Sequence, residues 1–195
     1  AVLDAKSHSD GIILDLRGNG GGDDTMGLAM ADYLYGQDHP ASVEYQVKSQ
    51  SPETMAMLFN NYQSRILRLN VKNQQIPDYL VKRREEARAK FDSAVNGLIP
   101  HEEKVITKGG FPFDPQKGYA KPILILTDRD CVSSCESTLE AFESHPFVTT
   151  IGTNTGGFCH FGNMGLVVLP SSKVTVQMAT DFWVYKDGRF VENIG

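Results

Sequence analysis

The sequence predicts an α/β fold with an inserted helical hairpin. Three observations carry that expectation. Two aliphatic runs, residues 11–16 (GIILDL) and 123–126 (ILIL), each pass through a turn of small residues into a helix-compatible segment, the strand-turn-helix order of α/β folds. Between them, residues 52–69 place Met55, Leu58, Phe59, Tyr62, Ile66 and Leu69 at spacings of three and four, one apolar helix face. The chain has 195 residues, 41% of them hydrophobic, enough to bury one sizeable core.

The elements follow in order. Residues 1–5 read as the tail of a helix. Residues 11–16 are apolar on both faces, which predicts a strand inside the sheet. Arg17-Gly18-Asn19-Gly20-Gly21-Gly22 follows. Asp23, Asp24 and Thr25 then offer a cap for a helix over 26–35. Val43, Tyr45 and Val47 alternate with polar neighbours in a half-exposed strand over 41–48. Residues 51–100 form the inserted hairpin, whose second helix spans 76–98. There, Lys82, Arg83, Arg84, Glu85 and Glu86 mix signs as a solvated face does. The hairpin suits a lid, a dimer arm or plain packing, which leaves a homo-oligomer open. A short strand over 104–107 and a loop over 109–118 lead to the strand at 123–126. A helix over 136–144, a strand over 148–152 and the loop 153–162 (TNTGGFCHFG) come next. Strands over 164–169, 174–179 and 181–185 and a hairpin turn at 186–189 complete the pattern.

Composition narrows the function. A net charge of −5 argues against a nucleic-acid surface. No apolar run approaches the roughly 18 residues that span a bilayer. Three cysteines, Cys131, Cys135 and Cys159, cannot all pair within one chain. They suit buried thiols, or one disulfide to Cys159 in an exported protein. Cys-x-x-x-Cys across a turn matches zinc-ligand spacing only loosely, so no metal is expected.

Residues 126–140, LTDRDCVSSCESTLE, carry the most chemistry. Ser133 or Ser134 suits a helix N-cap, with Glu136 or Ser137 in the first turn. The same place suits a nucleophile: a buried strand holds it rigidly, and the helix start offers unpaired N–H groups to an oxyanion. The glycine run at 17–22 suits a tight turn, or a nest of inward N–H groups around an anion. It lacks the Gly-Lys-Ser/Thr ending of a nucleotide loop and is not G-x-G-x-x-G.

Taken together, two stretches resemble the C-terminal processing (tail-specific) protease family of serine peptidases. LDLRGNGGG, residues 14–22, matches L-D-L-R-x-N-x-G-G at every fixed place. In the segment 121–157, DRDCVSSCE aligns Glu136 with the family glutamate of S-A-S-x-S/A-E and places Ser133 at the nucleophile. The resemblance implies a twisted mixed sheet with flanking helices and a ClpP/crotonase-like core, with residues 1–195 a partial catalytic domain and upstream segments missing. The lysine of G-E-x-T-F-G-K-G falls on Phe158, which accepts no proton, and the glutamine that follows falls on Gly162. The sequence is therefore more similar to the tricorn-type branch, which uses Ser, His and Glu, than to the Ser/Lys branch.

That resemblance implies a serine endopeptidase acting on extended peptides or unfolded proteins, without a cofactor. Ser133 is the nucleophile, the N–H groups of Ser134 and of Gly21 or Gly20 hold the oxyanion, and Glu192 supports an imidazolium. The branch draws its histidine from a segment upstream of the glycine motif. Within this sequence the candidate base is His160, two places past Phe158 and so on one face of an extended segment. His8, His39, His101 and His145 read as solvated. Asp15 and Arg17 read as a structural pair, and Thr155, Gly156 and Gly157 as channel lining. The resemblance favours an exported protein, periplasmic or secreted. The alternative is a non-catalytic ligand-binding or scaffold protein on the same fold.

Overall fold

The computed structural model describes residues 6–195, so the helix tail expected at 1–5 lies outside the described residues. In chain order the elements are β1 (Ile12–Asp15), α1 (Thr25–Tyr35), β2 (Val43–Ser49), α2 (Pro52–Val71), α3 (Asp78–Val95), β3 (Glu102–Ile106), β4 (Ile123–Thr127), α4 (Ser134–Ala141), β5 (Val148–Gly152), β6 (Phe161–Gly162), β7 (Gly165–Val168), β8 (Thr175–Met178) and β9 (Asp181–Tyr185). The chain divides into two compact units: one holds the residues up to Tyr45, Ile106–His160 and Trp183–Gly195, the other Gln46–Val105 and Phe161–Phe182.

The first unit is built on a parallel sheet in the order β1-β4-β5, with Ile12 opposite Ile123 and Ile123 opposite Val148. Leu16, Ile123 and Ile125 pack in one buried cluster with Ala31, Leu34 and Tyr35 of α1 and with Ala141 and Phe142 at the end of α4. Burying such side chains contributes roughly 1.5–3 kcal/mol each. In α1, the Asp23 carboxylate accepts the Thr25 N–H at 2.9 Å. The helix stops at Gly36, whose φ of 82° suits glycine and whose N–H reaches Asp32 O. The two helices approach closely: a Cβ at Gly27 would lie 2.0 Å from Thr138 Oγ1.

One expectation is corrected here. The run at 11–16 is not inside the sheet: β1 is an edge strand, and Ile13 on its uncovered face is 69% exposed. Apolar residues on both faces of a strand do not tell which face the remaining elements cover.

The second unit contains the expected helical hairpin. Ser51 caps α2 by accepting the Thr54 N–H at 3.2 Å, and Pro52 opens it. Met55 and Ile66 of α2 and Leu80, Ala87 and Ala94 of α3 are buried, while Lys82, Arg83, Glu85 and Glu86 are exposed. The strands pair in the order β3-β2-β9-β6, and β7 pairs with β8 antiparallel, Gly165 opposite Met178. Strand β6 falls inside the segment expected to be loop. It is two residues long and is held by pairing with β9, Phe161 opposite Phe182, which no local pattern announces. Among the described residues no helix is long and apolar enough to cross a membrane.

Candidate active site

Ser133 sits where the β4 segment turns into α4, with φ 56° and ψ −121°. Side chains rarely adopt positive φ, and such a residue costs about 1–3 kcal/mol that its surroundings must offset. Ser133 is exposed, and it forms a capping box with Glu136, whose carboxylate accepts the Ser133 N–H at 2.8 Å. The Glu136 N–H reaches the Ser133 carbonyl at 2.7 Å. The neighbouring hydroxyl is committed: Ser134 Oγ donates to Gly22 O at 2.9 Å.

The glycine run stands against this turn. A Cβ at Gly21, whose φ is 80°, would lie 2.9 Å from Ser133 Cβ and 2.6 Å from Val132 O. The Val132 N–H donates to Asn19 O at 3.2 Å. Of the expected oxyanion donors, Ser134 opens α4, so its N–H has no intrahelical acceptor. It stands 3.2 Å from the position of a Gly21 Cβ. The Gly21 N–H donates to Asn19 Oδ1 at 3.0 Å, and Gly20 is exposed. Arg17 forms two bonds to Asp15, at 2.8 and 2.7 Å, and holds that carboxyl down at about 2. Asp128 accepts the Gly18 N–H at 3.0 Å and closes the other side of the loop.

Glu136 ties the site together. It is buried, and its carboxylate accepts four hydrogen bonds: from Ser133 N at 2.8 Å, Thr155 Oγ1 at 2.6 Å, Gly157 N at 2.7 Å and Phe158 N at 2.8 Å. The nucleophile turn and the loop after β5 thus share one anion, and charge-assisted bonds of this kind are the strong ones. Sequence reasoning saw Glu136 only as a cap partner or an alignment marker; its place three residues after Ser133 was the available signal. The channel-lining expectation is corrected for Thr155, which is buried with its hydroxyl bonded to Glu136.

Glu192 and His160 form a second group. The Asn193 N–H donates to Gly157 O at 2.7 Å, which holds the Glu192 segment against the Glu136-bound loop. Glu192 Oε2 is buried and accepts no hydrogen bond among the described residues. His160 packs on Phe190, ring centroids 4.2 Å apart, and on Tyr185 at 5.8 Å. Burial pushes its imidazole below the usual 6.5, and the Glu192 charge pulls the other way. His145 is not solvated as expected: it is buried edge-on against Tyr35 and Phe113, with Nε2 3.3 Å from Leu34 O. Tyr185 donates to Glu140 at 2.6 Å, and burial raises that carboxyl to about 7.

The cysteine expectation is also corrected. Cys131 and Cys135 form a disulfide with Cα atoms 5.4 Å apart, and the free thiol is Cys159. Burial pushes Cys159 up to about 12. The spacing of four permits a bridge across a tight turn, but only the turn geometry shows that the two side chains face each other.

Two structures of mature CPAF share this fold, one of them complexed with lactacystin, with TM-scores of 0.59 and 0.58 and 18% identity. The matches cover 100% of this chain and 39% and 40% of those chains. A protein of Parabacteroides merdae ATCC 43184, provisionally classed as a peptidase, matches with a TM-score of 0.55 and 14% identity, over 98% of this chain and 47% of its own. The chain thus spans less than half the length of these proteins, and at such identities the likeness is one of fold. No curated protein sequence matches. Peptidase family S41 is matched over residues 2–195, nearly the whole sequence, and the chain belongs to that family.

Proposed function

We propose that this chain carries the nucleophile of a serine endopeptidase acting on peptides or unfolded proteins, and that it belongs to the Ser/His/Glu branch. One observation supports the reading above the rest: Ser133 is held exposed in a strained backbone conformation, beside a glycine that leaves no room for a Cβ. Strain of this kind persists where function uses it.

Ser133 Oγ attacks the carbonyl carbon of the scissile peptide while an imidazole takes its proton. The Ser134 N–H, with that of Gly20, stabilises the oxyanion, each such donor contributing about 3 kcal/mol; the Gly21 N–H is held by Asn19 Oδ1. The C–N bond breaks, the amine leaves with the imidazole's proton, and water then hydrolyses the acyl-serine. Phe158 excludes a lysine base at the aligned place. Glu192, with a buried unfilled oxygen, is the carboxylate that supports the imidazolium. His160, which feels the Glu192 charge, is the imidazole this chain supplies; a histidine of an upstream segment is the other source.

Hydrolysis of an unstructured peptide by the full-length protein tests the reading. Ser133→Ala lowers kcat by about 10³-fold or more. A comparable loss in His160→Ala assigns the base to this chain; retained activity assigns it upstream. Activity that survives Ser133→Ala favours a ligand-binding or scaffold role.

A further inference from the structure

We propose that the Cys131–Cys135 disulfide is a positioning element for the nucleophile, so that the activity depends on an intact bridge. The inference rests on Ser133 being the nucleophile. The bridged residues stand two places before and two places after Ser133, and their Cα atoms are 5.4 Å apart. Extended, four residues of chain would span about 13 Å. The turn is therefore closed on itself, with Ser133 at its crest.

Both ends of that turn are anchored. Cys131 and Cys135 are 0% and 1% exposed, in the cluster that holds Leu16, Ile125 and Phe142. The Cys131 N–H donates to Asp128 O at 3.1 Å, and the Cys131 carbonyl accepts the Gly156 N–H at 2.9 Å. The Cys135 N–H donates to Val132 O at 3.1 Å. A residue at φ 56° persists only when its surroundings over-determine it. With the ends joined, the turn cannot relieve Ser133 by spreading apart.

The bridge is poorly placed for general stabilisation. Loop-closure stabilisation grows with the length of loop closed, and this loop is among the shortest a disulfide can close. Its effect is concentrated on the crest it encloses. Cys159, the third cysteine, lies 3.7 Å from Ser137 Oγ and takes no part.

The test compares the full-length protein with its Cys131→Ala/Cys135→Ala variant, reading the rate of fluorophosphonate acylation at Ser133, kcat and KM for a peptide, and the melting temperature. A misplacement of about 1 Å at a reacting group can cost roughly 100-fold. Acylation rate and kcat are expected to fall by about 10-fold to 100-fold, with KM and the circular dichroism spectrum unchanged. Should the variant not fold, the Cys131→Ser/Cys135→Ser variant is assayed in the same way. Acylation at the native rate in either preparation overturns the proposal. Loss of the whole fold in both overturns it too, since the bridge is then a general stabiliser. A native protein that is never labelled at Ser133 fails the nucleophile reading itself, a different outcome from a label that ignores the bridge.

Discussion

Gly21 and Ser133 meet with no space between them: a Cβ on the glycine would lie 2.9 Å from the serine Cβ. Two loops far apart in sequence thereby form one surface, held by the bonds from Val132 N to Asn19 O and from Ser134 Oγ to Gly22 O. Gly21→Ala meets both this contact and a φ of 80°. It is expected to lower stability by about 1–3 kcal/mol. It should also lower kcat/KM by about 10-fold to 100-fold, because the turn must move. Urea unfolding and peptide hydrolysis measure the two effects.

Glu136→Ala strands four donors at once, those of Ser133, Thr155, Gly157 and Phe158. Each buried unsatisfied group costs about 1–3 kcal/mol. The variant should lose at least about 3 kcal/mol in urea unfolding, together with its activity. A loss typical of an exposed glutamate would show that the carboxylate does not bind these groups in solution.

Ser133→Gly removes the nucleophile and the strain together. Relief of about 1–3 kcal/mol outweighs the roughly 0.5–1 kcal/mol of added chain entropy that glycine brings. The variant is expected to be inactive yet more stable, its melting temperature rising by about 2–4 °C per kcal/mol gained. A lower melting temperature would mean that the φ of 56° is not strained.

Glu140 gives stability a pH dependence. Its carboxyl is raised from 4.5 to about 7 by burial, offset in part by the Tyr185 hydroxyl and by Arg189, while Glu143 and Glu136 add to the rise. Between those values the folded carboxyl keeps its proton and the unfolded one does not. Its stabilising effect is therefore full below about 4.5 and is lost as pH rises through about 7. His160, lowered from 6.5, acts oppositely: its contribution is lost as pH falls through its folded value. Glu140→Gln should flatten the decline in melting temperature between about pH 5 and pH 8. An unchanged decline would assign it to other groups.

Much of this architecture was legible in the residues. Local pattern placed the hairpin, the strands β1, β4 and β5, and the helices after the glycine and serine turns, because period and turn chemistry are local signals. The edge position of β1, the two-residue β6 and the burial of His145 were not legible, because each depends on what distant chain covers. In the site, Ser133 and the glycine run could be named from motif and position. The bonds of Glu136 to Thr155, Gly157 and Phe158 could not, since they arise only once the loop after β5 folds back onto the serine turn; nor could the bridge from Cys131 to Cys135, since spacing alone does not show that the two side chains face each other.

The central claim, that the Ser133 hydroxyl is the reacting group, is tested most directly by treating the full-length protein with a fluorophosphonate and locating the added mass by peptide mass spectrometry. The account predicts a single adduct on Ser133, absent from heat-unfolded protein and from Ser133→Ala. An adduct on another serine, or a native, peptide-cleaving protein that takes up no label at Ser133, would contradict it.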